Sequence, residues 1–203
     1  MENWLQMGRS APNFVAIGVY KQKLGKIRLS DYRGKKYVIL IFYPANFTAV
    51  SPTELLAFSD RSQEFQKLSA QILAISVDSP FSHLRSLLLT RKNGGLENLQ
   101  YPLLSDLTQT ITKQYKLLSD DGIALPGLFI IDKEGTIQYY TVNNLLCGRS
   151  VNEILRILKS VQYVKENPGQ ACPVDLHDGQ ETLYSHPLKS KFYFKDIYYV
   201  EKT

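Results

Sequence analysis

Few residues in this chain are of types that do chemistry, and their spacing narrows the choices. Two cysteines, Cys147 and Cys172, are too few for a four-cysteine zinc site or a disulfide-rich secreted scaffold. His83, His177 and His186 do not join them at metal-ligand spacing, so no cofactor is expected. Nothing supports a disulfide between the two thiols, and a reducing compartment is the default. Ser51 lacks a Gly-x-Ser-x-Gly elbow, and no histidine stands near it in sequence to act as its base. Ser51-Pro52-Thr53-Glu54 fits a capping box instead. In that reading the Ser51 hydroxyl takes a free helix N–H, Pro52 is the first helical residue and Glu54 reaches back. Ser82 reads as the cap of another helix, leaving His83 a satisfied, partly buried side chain. Cys147, between Leu146 and Gly148, reads as a small buried hydrophobe. His177 and His186 have no acidic or cysteine partners at useful spacing and receive no role.

These residues must be positioned by strands and helices. Tyr37-Val38-Ile39-Leu40-Ile41-Phe42-Tyr43 is continuously apolar, rich in β-branched and aromatic residues, and closed by Pro44. It predicts a central strand buried on both faces of a covered, mostly parallel sheet. Further strands are expected at 71–77, 127–132 and 136–142. Leu55, Phe58, Phe65 and Leu68 mark one face of a helix, and Val151, Ile154, Leu155, Leu158 and Val161 mark another. Alternating strands and helices make the class α/β. After Val164 the pattern breaks into Glu166-Asn167-Pro168-Gly169, a polar stretch, and the aromatic segment from Phe192 to Tyr199. A domain over 1–165 and a C-terminal arm over 166–203 follow, since roughly 40 residues scarcely bury a core of their own.

The 203 residues are 44% hydrophobic and 21% charged, with a net charge of +5, which fits a globular chain. The densest basic cluster is only Arg33-Gly34-Lys35-Lys36, weak support for nucleic-acid binding. The longest apolar run falls far short of the roughly 20 residues of a membrane helix. The first ten residues have no apolar core and are too short for a transit peptide, so the product is expected to act where it is translated or to be shown processed.

Several blocks occur together in order: Ala11-Pro12-Asn13-Phe14, Phe42-Tyr43-Pro44, Phe47-Thr48, Pro52-Thr53-Glu54, Ser76-Val77-Asp78-Ser79, Phe81-Ser82-His83-Leu84, Gly127-Leu128-Phe129-Ile130-Ile131-Asp132 and Gly148-Arg149-Ser150. With these blocks the chain resembles a typical 2-Cys peroxiredoxin over nearly its whole length. The resemblance implies a thioredoxin-like fold of the peroxiredoxin type with an extended C-terminal arm. It also implies a homodimer often assembled into a ring, and thioredoxin-dependent reduction of hydroperoxides. In that family a peroxidatic cysteine opens the helix after Phe42-Tyr43-Pro44, and here that position is Ser51. An arginine precedes the Gly-Leu-Phe-Ile-Ile-Asp strand, and here Pro126 stands there, with neither charge nor N–H. Pro44 and Thr48 correspond to residues shaping the peroxide pocket, Glu54 and Arg149 to an ionic pair beside it, and Cys172 to the resolving cysteine. Asn46 and Ala49 replace an acid and a phenylalanine, and Arg85-Ser86 replaces Ala-Trp.

Gly94-Gly95-Leu96-Glu97 and Tyr193-Phe194 resemble features linked to overoxidation sensitivity. The tail beyond them, with Tyr198 and Tyr199, is expected either to dock another protein or to pack on its own domain. An alcohol stays protonated at neutral pH and cannot climb the sulfur oxidation ladder. The leading expectation is therefore a peroxiredoxin-fold protein without peroxidase turnover, acting as a structural or partner-binding subunit. The alternatives are a thioredoxin-dependent peroxidase seen as a Cys-to-Ser variant, and a chaperone-like holdase. Similarity to cyanobacterial and plastid types implies a cytoplasmic or plastid-stroma location.

Overall fold

The computed structural model describes residues 6–176 and 179–198, which divide into two units, Met1–Val151 and Asn152–Thr203. In chain order the first unit contains β1 (Val15–Tyr20), β2 (Lys23–Arg28), β3 (Tyr37–Phe42), α1 (Ser51–Asp60), α2 (Ser62–Lys67), β4 (Ala70–Ser76) and α3 (Pro80–Leu88). It continues with β5 (Leu103–Ser105), α4 (Thr110–Gln114), β6 (Gly127–Ile131) and β7 (Ile137–Val142). All seven strands form one sheet in the order β2-β1-β5-β4-β3-β6-β7. The class is α/β, as the alternation of patterns implied.

β3 lies inside the sheet with all six residues buried, as its unbroken apolar run requires. The expectation of a mostly parallel sheet is corrected. Only β3–β4 and β4–β5 run parallel; β1–β2, β1–β5, β3–β6 and β6–β7 are antiparallel. A continuous apolar run reports that both faces of a strand are covered and carries no information about the direction of its neighbours. The single helix face expected from Leu55 to Leu68 is also corrected. The backbone breaks at Arg61 (φ −106°, ψ 13°) between α1 and α2, so Leu55, Phe58 and Phe65 are buried from two helices while Leu68 caps the second.

One core gathers where β3, β6 and α4 meet. The rings of Phe42 and Tyr115 are 5.1 Å apart, those of Tyr115 and Phe129 5.0 Å, and those of Phe42 and Phe129 5.9 Å. Tyr115 satisfies its hydroxyl by donating to the Pro12 carbonyl at 2.8 Å, so the aromatic cluster fixes the incoming N-terminal segment as well. In the loop after α3, Gly95 is obligatory, because a Cβ there would lie 2.1 Å from the Leu89 carbonyl oxygen.

The second unit contains α5 (Val151–Glu166), which begins at the last residue of the first, the strands β8 (Gln170–Ala171) and β9 (Leu183–Tyr184), and α6 (Lys191–Tyr198). β8 and β9 pair antiparallel, and Tyr163 of α5 shares a 2.8 Å hydrogen bond with Thr182. Val151, Ile154, Leu155 and Leu158 are the buried positions of α5, as its apolar spacing predicts, while Val161 of the same face is half-buried. Among the described residues no helix is long and apolar enough to cross a membrane.

Removing the central ring tests the core. Phe129→Ala is expected to lower unfolding free energy by about 3–5 kcal/mol in urea denaturation, and Phe129→Leu by much less. A loss below about 1 kcal/mol for the alanine variant would show that the aromatic cluster does not hold the sheet.

Candidate functional site

The parallel strands β3, β4 and β5 end on one side of the sheet, and the turn from β3 into α1 passes there. Tyr43 and Pro44 leave β3 buried, and Phe47 adopts a left-handed backbone (φ 62°) before the helix begins at Ser51. Ser51 is 3% exposed, and its hydroxyl lies 2.6 Å from that of Thr48. Thr48 donates its only hydroxyl proton to the Ala45 carbonyl at 3.1 Å, so in the shared contact Ser51 is the donor. This arrangement overturns the capping box. Val50 is the N-cap and makes no side-chain cap, Ser51 is already helical with Pro52 after it, and Glu54 does not reach back. A buried arginine attracts the Glu54 carboxylate away from the helix start.

That arginine is Arg149. Its Nε and Nη2 donate to Glu54 Oε1 and Oε2 at 2.7 Å each, and its backbone N–H donates to Oε1 at 2.6 Å. Nη1 donates to the carbonyls of Phe42 at 3.1 Å and Gly127 at 2.6 Å. Both side chains are almost completely buried. The fork therefore joins the end of β3, the start of β6 and the first turn of α1, with charge and hydrogen bonds both satisfied. Pro126, also buried, stands one residue before Gly127 and presents no donor. Its carbonyl accepts from the Asn143 N–H at 2.9 Å, and β6 pairs in register with β3 from Leu128 to Ile131; the one register shift of β6, against β7, lies at Ile130/Ile131, away from the proline.

A polar network that sequence reading missed fastens the same loop. The Asn46 N–H donates to Asp78 Oδ2 at 2.8 Å, and Asn46 Nδ2 donates to Ser82 Oγ at 2.9 Å and toward His83 Nδ1 at 3.1 Å. The Tyr43 hydroxyl donates to Asn46 Oδ1 at 3.0 Å. His83 Nε2 meets the Leu104 carbonyl at 3.0 Å and must carry the proton, which leaves Nδ1 as an acceptor. Ser76 and Ser82 donate to the two oxygens of Asp78. His83 is fully buried, and desolvation lowers its pKa more than Asp78 and the Leu104 carbonyl raise it. Burial also pushes the Tyr43 hydroxyl up, so both groups stay neutral. Ser79, not Ser82, caps α3, since its hydroxyl accepts from the Ser82 N–H at 3.2 Å. The Ser82 side chain is instead engaged with Asn46 and Asp78. In the sequence Asn46 stands out only as a replacement, and its burial beside His83 is the tertiary fact that shows its role.

Within the first unit Thr48 is held beside Ser51 and Glu54 beside Arg149, while Pro44 is buried just after β3 and Pro126 stands one residue before Gly127, whose carbonyl Arg149 reaches. Cys172 belongs to the second unit, half-buried, with its thiol 3.7 Å from the Ser160 carbonyl. Tyr193 and Phe194 form an edge-on ring pair with centroids 5.7 Å apart on α6. Tyr198 is the last residue of that helix, and Tyr199 and His177 lie outside the described residues. Cys147 is exposed, contrary to the buried hydrophobe expected. Its loop turns outward on local hydrogen bonds, with the Cys147 N–H donating to the Asn144 carbonyl and Asn143 Nδ2 to the Cys147 carbonyl. No described group of histidines, cysteines and carboxylates could hold a metal ion.

Residues 7–140 match the AhpC/TSA family model. The chain is 71% identical over 203 residues to the putative peroxiredoxin ycf42 of Trieres chinensis, covering 100% of each. It is 53% identical over 193 residues to the chloroplastic 2-cysteine peroxiredoxin of Chattonella marina var. antiqua, covering 95% of this chain and 99% of that one. Among solved structures, the reduced 2-Cys peroxiredoxin of Plasmodium vivax superposes with a TM-score of 0.90 at 36% identity, covering 93% of this chain and 98% of the other. The fold is thioredoxin-like, of the peroxiredoxin type.

Two measurements probe this site. Arg149→Ala leaves Glu54 buried without its partner and is expected to cost about 3–5 kcal/mol in denaturant unfolding. The second concerns His83. Its folded pKa lies below the ordinary 6.5, so as pH falls through that value the unfolded chain takes up a proton that the native state refuses. Stability is therefore fully present above the ordinary pKa and declines as pH drops below it. His83→Gln is expected to flatten that part of the stability–pH profile, and an unchanged slope would refute the neutral assignment.

Proposed function

The chain belongs to the AhpC/TSA family, and from that premise we propose that it is a peroxiredoxin-fold protein without peroxidase turnover, serving as a structural or partner-binding subunit. The observation that carries this reading is the hydroxyl at Ser51. By resemblance the position belongs to a peroxidatic cysteine, whose thiolate attacks the O–O bond. An alcohol donating its proton to Thr48 is neutral and has no sulfur to oxidise. Pro126 reinforces the reading, because by resemblance an arginine there would stabilise thiolate and peroxide, and proline offers no donor. Loss of two separate catalytic parts favours a chain that has left the reaction over a single-site Cys-to-Ser variant of a working thioredoxin-dependent peroxidase.

What remains is the framework. The Glu54–Arg149 pair and the Asn46–His83–Asp78 network hold the loop from β3 to α1 in place whether or not residue 51 reacts. Under this proposal Cys172 is a thiol without its usual disulfide partner. The segment 166–203 acts as an arm, and its aromatic residues Tyr193, Phe194, Tyr198 and Tyr199 are the candidate contacts for another protein. The names of relatives supply the rest. A Plasmodium yoelii relative of known structure is described as an octamer, artifactual after modification of its N-terminus, and self-assembly into a dimer or ring is proposed for this chain. The chloroplastic relatives support a plastid location, with the stroma as the compartment proposed.

The test is reconstitution. The purified chain with a thioredoxin system is expected to consume hydrogen peroxide at the background rate. Ser51→Cys restores a nucleophile without the guanidinium and is expected to react about a hundredfold more slowly than Ser51→Cys with Pro126→Arg. Peroxide consumption by the unaltered chain would overturn the proposal.

A further inference from the structure

Among the described residues the outer strand β2 is paired on one side only, and almost every residue on it is exposed. A two-residue turn, Lys21-Gln22, joins it to β1, and both turn residues have positive φ (47° and 61°), the geometry of a type I′ hairpin. Such a turn makes Tyr20 and Lys23 a hydrogen-bonded pair. The alternation then directs the backbone groups of Lys23, Gly25 and Ile27 toward β1 and those of Leu24, Lys26 and Arg28 away from it. The next residue in phase, Leu29, keeps the pattern, its N–H donating to the Phe14 carbonyl at 3.2 Å. An open ladder of N–H and C=O groups therefore runs along the edge of the sheet at Leu24, Lys26 and Arg28.

Charge identifies what fits this edge. The hairpin from Val15 to Arg28 has four cations, Lys21, Lys23, Lys26 and Arg28, and no acidic residue. None of the four belongs to a described salt bridge. The side chains of Lys26 and Arg28 share one face of the hairpin with Leu24. Gly25 has open space where its Cβ would be, so nothing at that position obstructs an approaching chain. A second copy of the same edge is a poor occupant, because the fully overlapped antiparallel register sets Lys26 against Lys26.

We propose that β2 is a docking edge for an extended acidic segment of another protein, which adds to the sheet as an eighth strand. The outward backbone groups of Leu24, Lys26 and Arg28 supply the ladder bonds. Lys26 and Arg28 select carboxylates at alternating positions of the incoming strand, and Leu24 offers an apolar contact beside them. The proposal is independent of the chemistry at residue 51, because the ladder and its charges lie entirely on the hairpin.

The test titrates the full chain with a short synthetic peptide alternating glutamate and valine. Binding is expected at low salt and should weaken as salt is raised. It should slow hydrogen exchange at the amides of Leu24, Lys26 and Arg28. Lys26→Glu with Arg28→Glu is expected to weaken binding about tenfold or more, since two attractive cross-strand pairs become repulsive. Methylating the peptide nitrogens that face β2 should abolish it. The proposal is overturned if the glutamate peptide does not bind, if methylation leaves its affinity unchanged, or if a lysine–valine peptide binds equally well. Equal binding of a single-stranded oligonucleotide, or pairing of the edge with a second copy without peptide, would also overturn it.

Discussion

The guanidinium of Arg149 is the point at which three parts of the first unit are tied together. Its partner Glu54 is 95 residues away in sequence, and the carbonyls it meets belong to β3 and β6. A charge this deeply buried is tolerated only because all the donors described here are matched, by a bidentate carboxylate on one side and two backbone carbonyls on the other. The start of α1 is consequently set by a long-range pair and not by its local cap. This explains why Val50 can end the incoming loop without a capping side chain and why Ser51 lies inside the first turn.

The Asn46 network complements that pair from the other end of the loop. Neutral His83 acts as a spacer between the Leu104 carbonyl and the Asn46 amide, and Asp78 collects an N–H and two hydroxyls. A network satisfied this fully adds rigidity at a place where an unpaired polar group would be costly. Phe47, exposed and left-handed between the two anchors, is the strained residue that this fastening sustains. The loop is thus built to hold a fixed shape, with the buried Ser51 hydroxyl at its end.

Family, class and central strand could be read directly. The apolar run at 37–43, the apolar spacing of the α5 helix and the ordered blocks from Ala11 to Ser150 each carry their own evidence. The misreadings share a cause. Ser51-Pro52-Thr53-Glu54 satisfies a local capping rule, but that rule cannot see Arg149 waiting for Glu54. Ser82 likewise looks like a cap until Asp78 and Asn46 compete for it, and Cys147 looks like a core residue until its loop closes on Asn143 and Asn144. A short motif gives the options of a side chain, whereas the stronger partner comes from elsewhere in the chain.

The sequence by itself determined which groups the site holds: the hydroxyls of Thr48 and Ser51, the Glu54 carboxylate, the Arg149 guanidinium and a proline at 126. Atom types follow from residue types, so no folding was needed to know that residue 51 has no sulfur. Only the tertiary structure decided the direction of the strands, the partner of Glu54, the neutrality of His83 and the exposure of β2. Each of these depends on distances between segments far apart in the chain, and hydrogen bonding and desolvation act through those distances.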